Sequence, residues 1–207
     1  MKKLILALGL ILGVATAQAQ FVKIEVEEVP SFGEYKTYRV YAVLKSNTDI
    51  LDAAYALPEI PMKVESTAPF YQHPMGGALS RDIQRALLNT EPNLKYDSWV
   101  TIGFEDNYLN TLVPLTATKD SVLIVRDYRE AFEEGKALEV VDGAWFVTPD
   151  QLQAKPDKQN RVLLMQLTTK GSITGVLNLH GRWHTVKEDG SLVPHAWEET
   201  GIRFTAG

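Results

Sequence analysis

Apolar and polar residues alternate as soon as the chain begins to mix charges. In FVKIEVEEV, Lys23, Glu25 and Glu27 share one phase with Phe21, and Val22, Ile24 and Val26 share the other, the period of a half-buried strand. Pro30, Ser31 and Gly33 mark a turn, and YKTYRVYAVL, rich in aromatic and β-branched residues, predicts a second strand over Tyr35 to Leu44. Residues 57 to 77 carry four of the ten prolines and two adjacent glycines, so only short edge strands fit there.

The β rhythm then breaks. In LSRDIQRALLNTEP, Ile83, Leu87 and Leu88 fall at helical spacing between a capping Ser80 and Pro92, which predicts a short helix over Arg81 to Leu88. YDSWVTIGF is strand-like from Ser98 to Phe104, and DSVLIVRDY offers Val122 to Val125. Asp127 and Glu130 stand at capping-box spacing before YREAFEEG, which predicts a helix over Tyr128 to Glu134 stopped by Gly135. ALEVVDGAWFVTP reads as two strand pieces around the Asp142-Gly143 turn signal. After the polar loop QLQAKPDKQN, the stretches RVLLMQLTT, SITGVLNLH and the closing segments supply strands at regular intervals. The expected fold is an all-β single antiparallel sandwich, jelly-roll-like, with one or two short helices.

The first residues change the compartment. MKKLILALGLILGVATAQAQ has two lysines, an apolar run and the small-x-small triplet Ala17-Gln18-Ala19, the layout of an export signal occupying residues 1–19. Its apolar run is too short for a membrane span, which needs roughly 20 such residues. Residues 20–207 then form a single secreted domain, periplasmic or extracellular, with no transmembrane segment in the mature chain. Cysteine is absent, so stability comes without disulfides. Removing Lys2 and Lys3 moves the formal charge from -5 to -7, which argues against nucleic acid and anionic lipid as partners.

TYRVYA (residues 37–42), YDSWVTIG (96–103), GAWFVTPD (143–150) and RVLLMQLTTKGSITGVLNL (161–179) resemble a group of secreted proteins predicted from marine bacteria and some algae. The resemblance covers most of the chain after the signal up to about residue 179. The group has no established activity, so the resemblance implies export and carries over no site residue.

Candidate chemistry concentrates beyond that point, in HGRWHTVKEDGSLVPHAW, which holds three of the four histidines and two of the four tryptophans. His180 and His184 are about 13 Å apart along a strand, too far to share an ion directly. With a two-residue turn at Asp189-Gly190, His184 faces His195, Arg182 faces Trp197 and His180 faces Glu199, gathering polar and aromatic groups on one face. Such a face is a candidate zinc or copper site through His184, His195 and His180. Trp183, Trp197 and Arg182 are the candidate ligand-binding residues, since an exposed indole offers a flat apolar surface to a sugar. A KEDG loop would shift this register by two. Trp99 and Trp145 sit among strand residues and are expected in the core.

Glu105, Asp106 and Asn107, with Asp150 and Asp157, supply oxygen ligands in loops that suit calcium. No G-x-S-x-G elbow, P-loop or H-E-x-x-H occurs. The expected function is a non-catalytic exported binding or surface module whose partner is a polysaccharide, an ion or an envelope protein. The alternative is a secreted hydrolase or metal-dependent enzyme that uses the late histidines or a carboxylate pair.

Overall fold

The computed structural model describes residues 20–116, 118–119, 122–123 and 127–207. The expected export signal lies outside the described residues. The chain forms β1 (Phe21–Val29), β2 (Lys36–Leu44), β3 (Ile50–Ala56), β4 (Met62–Ser66), β5 (Trp99–Val100), β6 (Val113–Thr116), β7 (Thr118–Lys119) and β8 (Val122–Leu123). The α-helix α1 (Tyr128–Glu133) is followed by β9 (Leu138–Val140), β10 (Gly143–Phe146), β11 (Arg161–Thr169), β12 (Ile173–Val186) and β13 (Leu192–Ala206). Among the described residues β7 pairs with β8 alone, and the remainder of the expected 122–125 strand lies outside the described residues.

Two antiparallel sheets make a sandwich. The smaller has the order β1-β2-β11-β5, and the larger holds β6, β10, β3, β12, β4 and β9 with β13 on the free side of β12. The larger sheet is simpler than seven strands suggest. β3 and β4 lie end to end along β12, from Ile50 opposite Arg182 to Ser66 opposite Ile173, and β10 and β9 lie end to end along them. Pro58 and Pro61 cannot donate to a ladder, so the segment between β3 and β4 loops out. Asn178 clamps the gap, its Nδ2 donating to the Tyr55 and Ile60 carbonyls at 3.0 and 2.7 Å. The Asp142-Gly143 signal therefore marks this interruption, and β9 and β10 pair with other strands instead of forming a hairpin with each other.

One apolar cluster joins the facing sides of the two sheets. Val40, Ala42 and Leu44 of β2 and Leu164, Met165 and Leu167 of β11 meet Leu51, Ala54, Trp145, Leu177 and Leu179 of the larger sheet. Trp145 is fully buried and its Nε1 donates to the Thr101 carbonyl at 3.1 Å. A second cluster, Tyr41, Ile83, Leu94, Trp99 and Leu163, covers the outer side of the smaller sheet. β11 is accordingly buried at every position after Arg161, since both its faces are covered.

The cover is irregular. Where the sequence predicts a helix over Arg81 to Leu88, the chain makes two 3-10 turns, Ser80–Asp82 and Arg85–Leu87, separated by extended Ile83 and Gln84. Local periodicity yields to packing here, because the break lets Ile83 drop onto Trp99 while the Asp82 carboxylate accepts from the Leu79 amide at 3.2 Å. α1 begins as expected, with the Asp127 side chain accepting from the Arg129 amide. Asp97, fully buried, fastens the 73–77 loop by accepting from the His73 and Gly77 amides at 2.6 and 3.0 Å. Burial pushes its carboxyl up to about 7 against the pull of those donors.

Candidate functional site

The late hairpin adopts neither expected register. Its connection is the three-residue loop Glu188-Asp189-Gly190, closed by the Lys187 amide on the Ser191 carbonyl at 2.9 Å, with Gly190 at φ +81°. Three-residue hairpin loops end on a left-handed residue, which glycine adopts without strain. The consequence is a one-residue slip: His184 faces Pro194, Trp183 faces His195, Gly181 faces Trp197 and His180 faces Glu198. A slip of one sends alternate side chains to opposite faces, so His184 and His195 lie on opposite sides of the sheet and cannot share an ion. His195 instead stacks on Trp183, centroids 4.6 Å apart, and its Nε2 lies 3.0 Å from Thr185 Oγ1. Trp197 is not a platform. It is 7 % exposed, covers Gly181, and donates from Nε1 to the Ile50 carbonyl at 3.2 Å.

His180 and Arg182 do come together, on a group that sequence reasoning passed over. β3 is bulged at Asp52: His180 pairs with Ala53 and Gly181 with Leu51, leaving Asp52 as the extra residue. A bulge re-aims the side chain it carries. The buried Asp52 carboxylate accepts from His180 Nδ1 at 2.5 Å on one oxygen and from Arg182 Nε at 3.0 Å on the other. That hydrogen bond holds the His180 pKa above the ordinary imidazole value, against burial and the Arg182 charge. The three groups border a hollow of about 290 Å3 with Phe146, Val147 and Pro149.

Of the acidic loop residues expected to suit calcium, Glu105, Asp106 and Asp157 are paired with arginines, and Asp150 accepts from the Thr148 and Gln151 side chains. Arg39 grips Glu105 in a two-pronged pair at 2.8 and 2.6 Å, and Arg85 Nε meets Asp106 at 2.9 Å. Asn107 accepts from the Arg85 amide and donates to Gln84, and Asp157 binds the Arg161 amide and guanidinium. Among the described residues, no cluster of three or more His, Cys, Asp or Glu side chains is arranged to hold a metal.

Those same pairs wall an open groove. Two adjoining hollows, of about 440 and 490 Å3, share Gly103, Phe104, Glu105 and Leu152. Tyr41 and Leu163 line one, Tyr108 and Leu109 the other. The construction starts at β11, where Leu164 is bulged against β2. The carbonyls of Leu163 and Leu164 accept the Gly103 and Thr101 amides at 2.8 Å, which ends β5 after two residues and lifts the 103–112 loop away from the sheet.

A buried polar lattice then fixes that loop. Ser80 Oγ donates to Thr101 Oγ1 at 2.7 Å, and Asn110 Nδ2 donates to Ser80 Oγ at 2.8 Å. Gln153 donates to the Ile102 carbonyl and accepts from the Thr111 amide, both at 2.9 Å. At the rim stand Tyr108, Leu109 and Leu152, which are 59, 69 and 70 % exposed. The Arg85 guanidinium lies 4.9 Å from the Tyr108 ring centre. Leu109 has φ +55°, one of two positive values among the described non-glycine residues. The available sequence signal was Tyr108-Leu109 itself, a large apolar pair between two asparagines.

Comparison with known proteins gives no match to a family model, a curated protein or a solved structure.

Proposed function

We propose that the protein is an exported, non-catalytic binding module that holds a polysaccharide chain in the groove between the 103–112 loop and Leu152. Leu109 carries this reading. A left-handed backbone costs an ordinary L-residue about 1–2 kcal/mol, and here the strained residue turns its side chain into solvent. The polar lattice around Asn110 and Thr111 holds this backbone in place, and what it presents to solvent is an apolar side chain, as a contact surface for a partner would. An open trough floored by Tyr41 and Phe104 and rimmed by Tyr108 suits the alternating apolar faces and polar edges of a sugar chain.

The wall carboxylates favour holding over hydrolysis. A glycosidase keeps one of two carboxyl groups as a free acid, whereas Glu105 and Asp106 are each fastened to an arginine. The test is affinity electrophoresis of residues 20–207 through gels containing a panel of polysaccharides. Retardation by one or more of them, lost in Tyr108→Ala and Leu152→Ser at unchanged melting temperature, is the expected result. Equal mobility in every gel overturns the reading, and release of reducing sugar from a retarding polymer replaces it with the hydrolase.

A further inference from the structure

Asp52 engages His180 and Arg182 and leaves the outer edge of each open. His180 uses Nδ1 and Arg182 uses Nε, and no described protein group bonds to His180 Nε2 or to the two terminal nitrogens of Arg182. Both side chains border the hollow beside Phe146, Val147 and Pro149, and the Arg182 side chain is 42 % exposed. The shared carboxylate fixes the orientation of both cations before any ligand arrives, which reduces the ordering cost of binding.

We propose that this cradle binds a single carboxylate carried on a small, partly apolar body, with the Arg182 terminal nitrogens and His180 Nε2 as donors. The end of a guanidinium matches a planar carboxylate in two parallel hydrogen bonds. Nδ1 gives its proton to Asp52, so Nε2 donates when the ring is cationic, the form that Asp52 favours. Charge selects a monoanion. With His180 protonated, the site carries a single net positive charge around the Asp52 carboxylate, and Glu198, opposite His180 and hydrogen-bonded by Tyr55, opposes a second negative charge on the ligand. The apolar wall favours a ring or short chain behind the carboxylate over a bare inorganic ion.

The same Asp-His pair would orient a general base if a nucleophile stood within its reach. Thr148 is the one hydroxyl among the lining residues, and its side chain is hydrogen-bonded to Asp150. The site therefore reads as a receptor, and it stands on residues separate from those of the groove.

The experiment is a titration of the 20–207 chain with D-galacturonate at about pH 6, following the His180 ring signals by nuclear magnetic resonance. Saturable shifts are expected, with affinity roughly tenfold to a hundredfold weaker in Arg182→Ala, the worth of charge-assisted hydrogen bonds. Galacturonate methyl ester should leave the ring signals in place. Asp52→Asn, checked for an intact melt, should weaken binding by freeing both donors to reorient. Polygalacturonate and acetate separate the sources: tighter binding of the polymer assigns a polymer-borne carboxylate, and equal binding of acetate a free one. Ring signals that ignore all three carboxylates, or that move equally in Arg182→Ala, overturn the proposal. So does a sulfate ion that saturates the site where carboxylates do not.

Discussion

Replacing Leu109 by asparagine separates strain from packing. Asparagine occupies the left-handed region readily, so Leu109→Asn relieves most of the roughly 1–2 kcal/mol held at φ +55°. The side chain removed is 69 % exposed, and a fully buried leucine is worth about 1.5–3 kcal/mol, so its loss costs about 0.5–1 kcal/mol. The balance is a fold between unchanged and about 1.5 kcal/mol more stable. Leu109→Ala keeps the strain and loses the contact, and should be less stable by about 0.5–1 kcal/mol. Urea unfolding of the three proteins reads the difference as a shift in midpoint, at a slope of about 1–3 kcal/mol per molar. Both variants should lose polysaccharide retardation. An asparagine variant destabilised by more than about 1 kcal/mol would give Leu109 a structural role, and one that binds as the parent does would remove it from the groove.

The same geometry sets further outcomes. Gly181→Ala places a methyl group 2.1 Å from the Ile50 carbonyl oxygen and 2.4 Å from the Trp197 ring, so it should cost about 2–4 kcal/mol, or roughly 5–15 °C in Tm; an unchanged melt refutes the Trp197 placement. Asp97, with its folded pKa raised to about 7, contributes stability that is complete below about pH 4 and is lost as pH rises through 7, on the order of a few kcal/mol. Its carboxyl carbon should titrate near pH 7 by magnetic resonance, and a midpoint below pH 5 would show the amide donors outweighing burial. EDTA and added calcium should each leave Tm within about 2 °C, because a resident or accepted ion would shift it by mass action.

The strand content and the two buried tryptophans of the first three-quarters were legible because many residues vote together. β2 and β11 are apolar over most of their lengths, and Trp99 and Trp145 sit among strand residues, so no local choice could move them out of the core. The helix over Tyr128 was equally clear, since Asp127 supplies the cap that its first turn needs. Arg81 to Leu88 carried a comparable apolar spacing but no Asp cap of that kind, and the pull of Ile83 toward Trp99 decided it. Three apolar side chains at helical spacing predict a face to be covered, and a 3-10 chain covers the smaller sheet as well as a helix would.

The candidate sites were less legible because each depends on a count of one. Glu188 joining Asp189-Gly190 in the loop moves Trp197 inward and parts His184 from His195. The extra residue in β3 turns Asp52 toward His180 and Arg182, and the extra Leu164 in β11 frees the carbonyls that hold the groove loop. Hydrophobic patterning constrains a strand through the summed burial of all its positions, and a bulge leaves that sum almost unchanged while reversing every residue beyond it. Charge-bearing residues at bulges therefore escape a reading based on alternation. Asp52 illustrates this: its carbonyl accepts from the Val147 amide at 2.9 Å, just beyond β10, and its carboxylate organises His180 and Arg182.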